Sequence, residues 1–69
     1  MAMKKEPMMS HTELAEMRKR WGLTQEKMGE KLGITRRGVQ ELESGRKKIS
    51  NTVAILARLL DELREDIVD

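Results

Sequence analysis

Two adjacent arginines, Arg36 and Arg37, followed at helical spacing by Gln40 and Glu41, carry the most pointed side-chain chemistry in this sequence. A guanidinium presents a planar fork of donors that matches O6 and N7 of guanine in a major groove. Each good pair of that kind is worth about 1–3 kcal/mol of discrimination. Thr35 and Gln40 can reach base edges or phosphates, and Glu41 can accept from cytosine N4. Glu41 also stands four residues after Arg37, where the two would pair with each other, and both readings stay open. Gly38 interrupts the stretch with no side chain, at a cost of about 1 kcal/mol relative to alanine in a helix. Close backbone approach to a nucleic acid would account for it, and an accident of drift is the alternative.

Such side chains act only if something rigid presents them. Met28 and Leu32, four apart, share one face of a first helix, and Gly33 follows where a left-handed residue ends a helix without penalty. Ile34 is a candidate buried anchor in the turn, and Thr35 suits the N-cap of a second helix. Val39 and Leu42 turn that second helix inward, so Arg36, Arg37, Gln40 and Glu41 point outward or sideways. Gly29 leaves room for the second helix to cross the first at close range. The pattern is that of a helix-turn-helix, whose second helix offers its N-terminal residues to a major groove.

The run GLTQEKMGEKLGITRRGVQELESG, Gly22 to Gly45, resembles the phage repressor and Cro-like, or XRE-like, helix-turn-helix family. The resemblance extends less sharply from about Thr12 to Leu60, and Gly38 departs from the pattern. It implies an all-α, lambda-repressor-like domain of four to five short helices. It further implies that Gln25 bonds a DNA phosphate and braces the recognition helix. Arg18 and Glu43 occupy the positions of an ion pair tying the first helix to the recognition helix. The loop bearing Arg46, Lys47 and Lys48 matches one that runs beside the sugar–phosphate backbone, which makes those cations phosphate contacts.

The remaining elements follow from local signals. Ser10 and Glu13 fit a capping box that starts a first helix, with Leu14, Met17 and Trp21 on its apolar face. Trp21, the sole aromatic residue, falls at core spacing rather than where a base would stack. Thr24 can cap the helix that Gln25 opens. Ser50 can cap a last helix whose first turn, with Asn51 and Thr52, offers further donors to a phosphate. Residues 1–9 show neither helical nor strand period and read as a flexible tail, with a basic arm on Lys4 and Lys5 as the alternative. Residues 10–69 form the domain. The last helix carries a heptad seam of Val53, Leu56, Leu60, Leu63 and Ile67, flanked by Ala57, Ile55 and Leu59. That seam either continues as one long helix or bends near Asp61 into a fifth. In both cases Leu59, Leu63 and Ile67 are candidates for a two-fold dimer contact, because so small a core gains from a partner.

Composition narrows the function. The net charge of +2 is unevenly spread, with twelve Lys/Arg against seven Asp/Glu in residues 1–48 and two against five in residues 49–69. Polyanion binding by one face fits that polarity. With no cysteine there is no disulfide framework or thiolate zinc site, and His11, the one histidine, reads as a surface residue near the cap. No metal or cofactor is expected. Without a glycine-rich phosphate loop or an inferred acid–base pair, an enzyme is the weakest class. No apolar run reaches the roughly 18 residues of a membrane span and no signal peptide is visible, so a soluble cytoplasmic protein is expected. The leading expectation is a dimeric, sequence-specific regulator of transcription, probing double-stranded DNA as a repressor. The alternative is an antitoxin whose acidic end (Asp61, Glu62, Glu65, Asp66, Asp69) binds a basic protein toxin.

Overall fold

The computed structural model describes residues 9–63, which fold into α1 (His11–Trp21), α2 (Gln25–Leu32), α3 (Arg36–Ser44) and α4 (Asn51–Leu63). Cap chemistry sets each start. Ser10 Oγ accepts from the Glu13 amide at 3.1 Å while Glu13 Oε1 accepts from the Ser10 amide at 3.4 Å, closing the expected capping box. Thr24 Oγ1 accepts from the Lys27 amide at 3.1 Å, Thr35 Oγ1 from Gly38 at 2.9 Å, and Ser50 Oγ from Val53 at 3.2 Å. Each satisfies an amide that the first helical turn leaves without a partner, typically worth about 1 kcal/mol.

The tight link between α2 and α3 depends on two glycines. Gly33 ends α2 at φ 75°, a conformation that residues with a Cβ adopt at a cost. Gly29, buried inside α2, faces the turn: a Cβ there would lie 2.6 Å from the Ile34 carbonyl oxygen and 3.2 Å from Thr35 backbone atoms. The close approach is therefore between α2 and the backbone entering α3. This is nearer the turn than a crossing of the two helix barrels.

One cluster holds the four helices together. Leu14 and Met17 of α1, Met28 and Leu32 of α2, Val39 and Leu42 of α3, and Ala54 and Ala57 of α4 are buried. Ile34, expected as a buried anchor, is only partly covered and packs at the cluster's edge with Trp21, Leu23, Val53, Leu56 and Leu60. Two further core members arrive from outside the helices. Met9, placed in the tail by the sequence reading, is 1% exposed, so the packed unit begins before Ser10. Ile49 is 7% exposed and pins the end of the α3–α4 loop.

The last helix differs from the expected seam. Its inner side is Ala54 and Ala57, flanked by Val53, Leu56 and Leu60, because small residues let α4 lie close to the cluster. It continues past Asp61 to Leu63. Leu63 belongs to the opposite side, where Ile55, Leu59 and Leu63, each four apart, are 48%, 52% and 66% exposed. Ile67 and any fifth helix lie outside the described residues. Side-chain ties fix α4 to α1: Trp21 Nε1 donates to Asp61 Oδ1 at 2.8 Å, Arg20 to Asp61 Oδ2 at 3.1 Å, and Arg58 to Glu13 at 3.1 Å. Trp21 thus packs at the core's edge with its polar tip satisfied, as buried indoles usually are.

Candidate nucleic-acid interface

α3 buries Val39 and Leu42 and turns Arg36, Arg37 and Gln40 fully outward. Arg36, Arg37, Gln40, Glu41, Ser44 and Arg46 line one concavity of about 500 Å³. Thr35 is not among the lining residues; it immediately precedes Arg36, and its hydroxyl oxygen is engaged in capping α3. Of the five residues singled out for base reading, four are therefore together on one surface, and the fifth adjoins them in sequence.

Glu41 is more occupied than the sequence suggested. Its carboxylate lies 3.8 Å from Arg37 Nε and 3.4 Å from Lys47 Nζ. Its carbonyl oxygen accepts from Ser44 Oγ at 3.2 Å, from the Arg46 amide at 3.0 Å and from the Lys47 amide at 3.3 Å. The pairing with Arg37 is thus present, and the link to Lys47 was missed because a side chain crossing a loop leaves no periodic signal. Arg36, by contrast, makes no ion pair with any described residue, which leaves its donor fork open.

Behind α3 lies the ion pair implied by the family resemblance. Arg18 Nε donates to Glu43 Oε2 at 2.6 Å and Nη2 to Oε1 at 3.1 Å, with the two side chains only 16% and 8% exposed. Arg18 Nη1 also donates to the Leu23 carbonyl at 2.9 Å, so the guanidinium is bound on three nitrogens. Gln25 Nε2 donates to Glu43 Oε1 at 3.1 Å, bracing α3 from the first turn of α2. This network joins α1, α2 and α3, and fixes the angle at which α3 presents its outer face. Bidentate, charge-assisted bonds of this kind are the strong class of protein hydrogen bond.

The cation loop follows directly. With Glu41 gripping its backbone at one end and Ile49 buried at the other, Arg46, Lys47 and Lys48 are held on the outside. Asn51, in the first turn of α4, is exposed next to them. Gly38, left open by the sequence, sits one turn into α3; a Cβ there would meet Thr35 Oγ1 at 3.3 Å and Ile34 side-chain atoms at 3.6 Å. Crowding against its own N-cap gives this glycine a local reason, apart from any approach of DNA.

Residues 14–66, most of the chain and all of α2 and α3, match the helix-turn-helix family. The chain belongs to that family, in its XRE-type, Cro-like form. No curated protein matches it. As a DNA-binding helix-turn-helix regulator it uses α2 and α3 as the motif, with α3 as the helix that the fold presents outward. No helix among the described residues is long and apolar enough to cross a membrane. Nor do the described residues hold a cluster of His, Cys, Asp or Glu suited to a metal ion.

Proposed function

We propose that this regulator is a sequence-specific repressor that reads a near-palindromic operator as a homodimer. Arg36 and Arg37 reach guanine edges, Thr35 and Gln40 contact bases beside them, and Glu41 meets either a cytosine or the arginine next to it. Gln25, Arg46, Lys47, Lys48 and Asn51 hold backbone phosphates and set the register. The observation that carries this reading is the outward arginine pair on α3, continuous with a cation loop and braced from behind by Arg18, Glu43 and Gln25. Two copies joined through Leu59 and Leu63, with Ile67 beyond the described residues, would set their α3 helices about one DNA turn, roughly 34 Å, apart. Occupancy of such a site blocks polymerase.

The exposed stripe on α4 also favours a second reading. Ile55, Leu59 and Leu63 run beside the exposed acidic Glu62, a surface that suits a basic protein toxin as well as a second copy. In that case the chain is an antitoxin that represses its own operon.

Titration against random and selected duplexes at two salt concentrations tests the first reading, with Arg36→Ala/Arg37→Ala as comparison. Tight binding to one enriched palindrome, lost in the double variant, is the expected result. Equal, sequence-blind binding by both proteins refutes base reading by α3.

A further inference from the structure

A second cavity, of about 360 Å³, opens between the start of α1 and the α3–α4 loop. His11, Lys47, Lys48 and Asn51 line it on its polar side, and the buried Met9 and Ile49 form its floor. His11 is not simply adrift at the surface. An atom added to the bare α-carbon of Gly45 would lie 3.4 Å from the imidazole Nδ1 and 3.6 Å from Cγ and Cε1. The ring therefore rests on the loop backbone that carries the cations. Gly45 has φ 85°, so the conformation that ends α3 also clears the seat for the ring.

Lys47 connects this cavity to the α3 surface, since it lines the cavity and also pairs with Glu41 beside Arg37. Lys47 and Lys48 thus carry positive charge from the edge of α3, where the Glu41 carboxylate lies between Lys47 and Arg37, to the beginning of α1. Among the described residues, the charged groups that line the cavity with His11 are Lys47 and Lys48, and α4 contributes the neutral Asn51. Glu13, the nearby acid of α1, is occupied by the Ser10 amide and by Arg58. A site with this donor set, and with no acidic side chain lining it among the described residues, favours a phosphate oxygen.

Resting on the operator reading above, we propose that His11, Lys47 and Lys48 together seat one backbone phosphodiester of the bound duplex, with protonation of His11 adding a full charge to that contact. DNA affinity is then tied to pH through a residue outside the helix-turn-helix. The imidazole is the chain's only one, so a proton-linked effect that vanishes on its replacement is its own.

The test is the dependence of log K on log salt for a selected duplex, at about pH 6 and about pH 8. The unsubstituted protein, His11→Gln and Lys48→Gln are compared, with thermal melting to show that each is folded. The slope for the unsubstituted protein should be steeper by about 0.9 at the lower pH, the value of one added phosphate contact. His11→Gln should give the shallower slope at both, and Lys48→Gln should lower the slope at both while keeping the pH difference. A slope that does not change with pH, or one that changes equally in His11→Gln, overturns the proposal. Inorganic phosphate, titrated while the His11 ring protons are followed by NMR, separates the sources. Saturable shifts without a pH-dependent duplex slope would mean a free-phosphate site and overturn the duplex contact. Failure of the unsubstituted protein to bind any duplex would overturn the operator reading too, and so is told apart from failure here.

Discussion

Replacing Glu43 with alanine should be among the most damaging single changes available to this fold. It removes the acceptor for two Arg18 nitrogens and for Gln25 Nε2. Arg18, 16% exposed, would keep its bond to the Leu23 carbonyl and lose its only ion-pair partner among the described residues. Leaving one charge of a buried pair unmatched costs about 3–5 kcal/mol. Because a little solvent still reaches Arg18, the lower end, about 3 kcal/mol, is the reasonable figure. A chain of this length has about 3–10 kcal/mol of stability in all. At about 4–8 °C per kcal/mol the midpoint should fall by about 12 °C or more. Far-UV circular dichroism and the fluorescence of Trp21, the single aromatic residue, report the transition from two sides. A companion variant, Arg18→Met/Glu43→Leu, removes both charges and should recover most of the loss, since apolar replacement of a buried pair is often neutral. The Gln25 amide would then lack its acceptor, at a cost of about 1–3 kcal/mol if water does not reach it. A loss below about 1 kcal/mol for Glu43→Ala would match an exposed pair and refute the burial argument. A double variant weaker than the single one would refute it equally.

Other consequences can be checked independently. Gly29→Ala should destabilise the domain by at least about 1–3 kcal/mol in urea titrations, because the new Cβ meets rigid backbone at 2.6 Å; a neutral result would show that the turn can retreat. Glu41→Gln should leave stability within about 0.5 kcal/mol, since Arg37 and Lys47 are 85% and 68% exposed. The same change should strengthen sequence-blind DNA binding by releasing both cations. Weaker operator binding, with discrimination lost at one G·C pair, would instead assign Glu41 to cytosine. On the proposed dimer reading, Leu59→Glu should yield a monomer in sedimentation where the unsubstituted protein is a dimer, while preserving its fold, given that Leu59 is 52% exposed. A persistent dimer would place the interface elsewhere.

Much of this arrangement was legible because short-range chemistry dictates it. Ser10, Thr24, Thr35 and Ser50 each cap the helix that their position announces, and the Leu14, Met28 and Val39 faces follow from spacing alone. What spacing does not carry is depth. Ala54 and Ala57 displace the leucine seam as the innermost residues of α4, because the closeness of helix packing is a tertiary property. Met9 and Ile49 sit outside periodic segments and so left no sign of being core. Within the interface, Arg36, Arg37 and Gln40 were legible from helical phase. The grip of Glu41 on Lys47 and the seat of His11 against Gly45 were not, since both join residues across a loop whose path the sequence does not specify.

The central claim, that arginines on α3 read guanine, is tested most directly by a cycle on the DNA. Each operator guanine is replaced in turn with 7-deazaguanine, which lacks the N7 acceptor, and affinity is measured for the unsubstituted protein and for Arg36→Ala. The account predicts a loss of about 1–3 kcal/mol at one guanine per half-site for the former and none at that guanine for the latter. Equal losses in both proteins, or none in either, would contradict it.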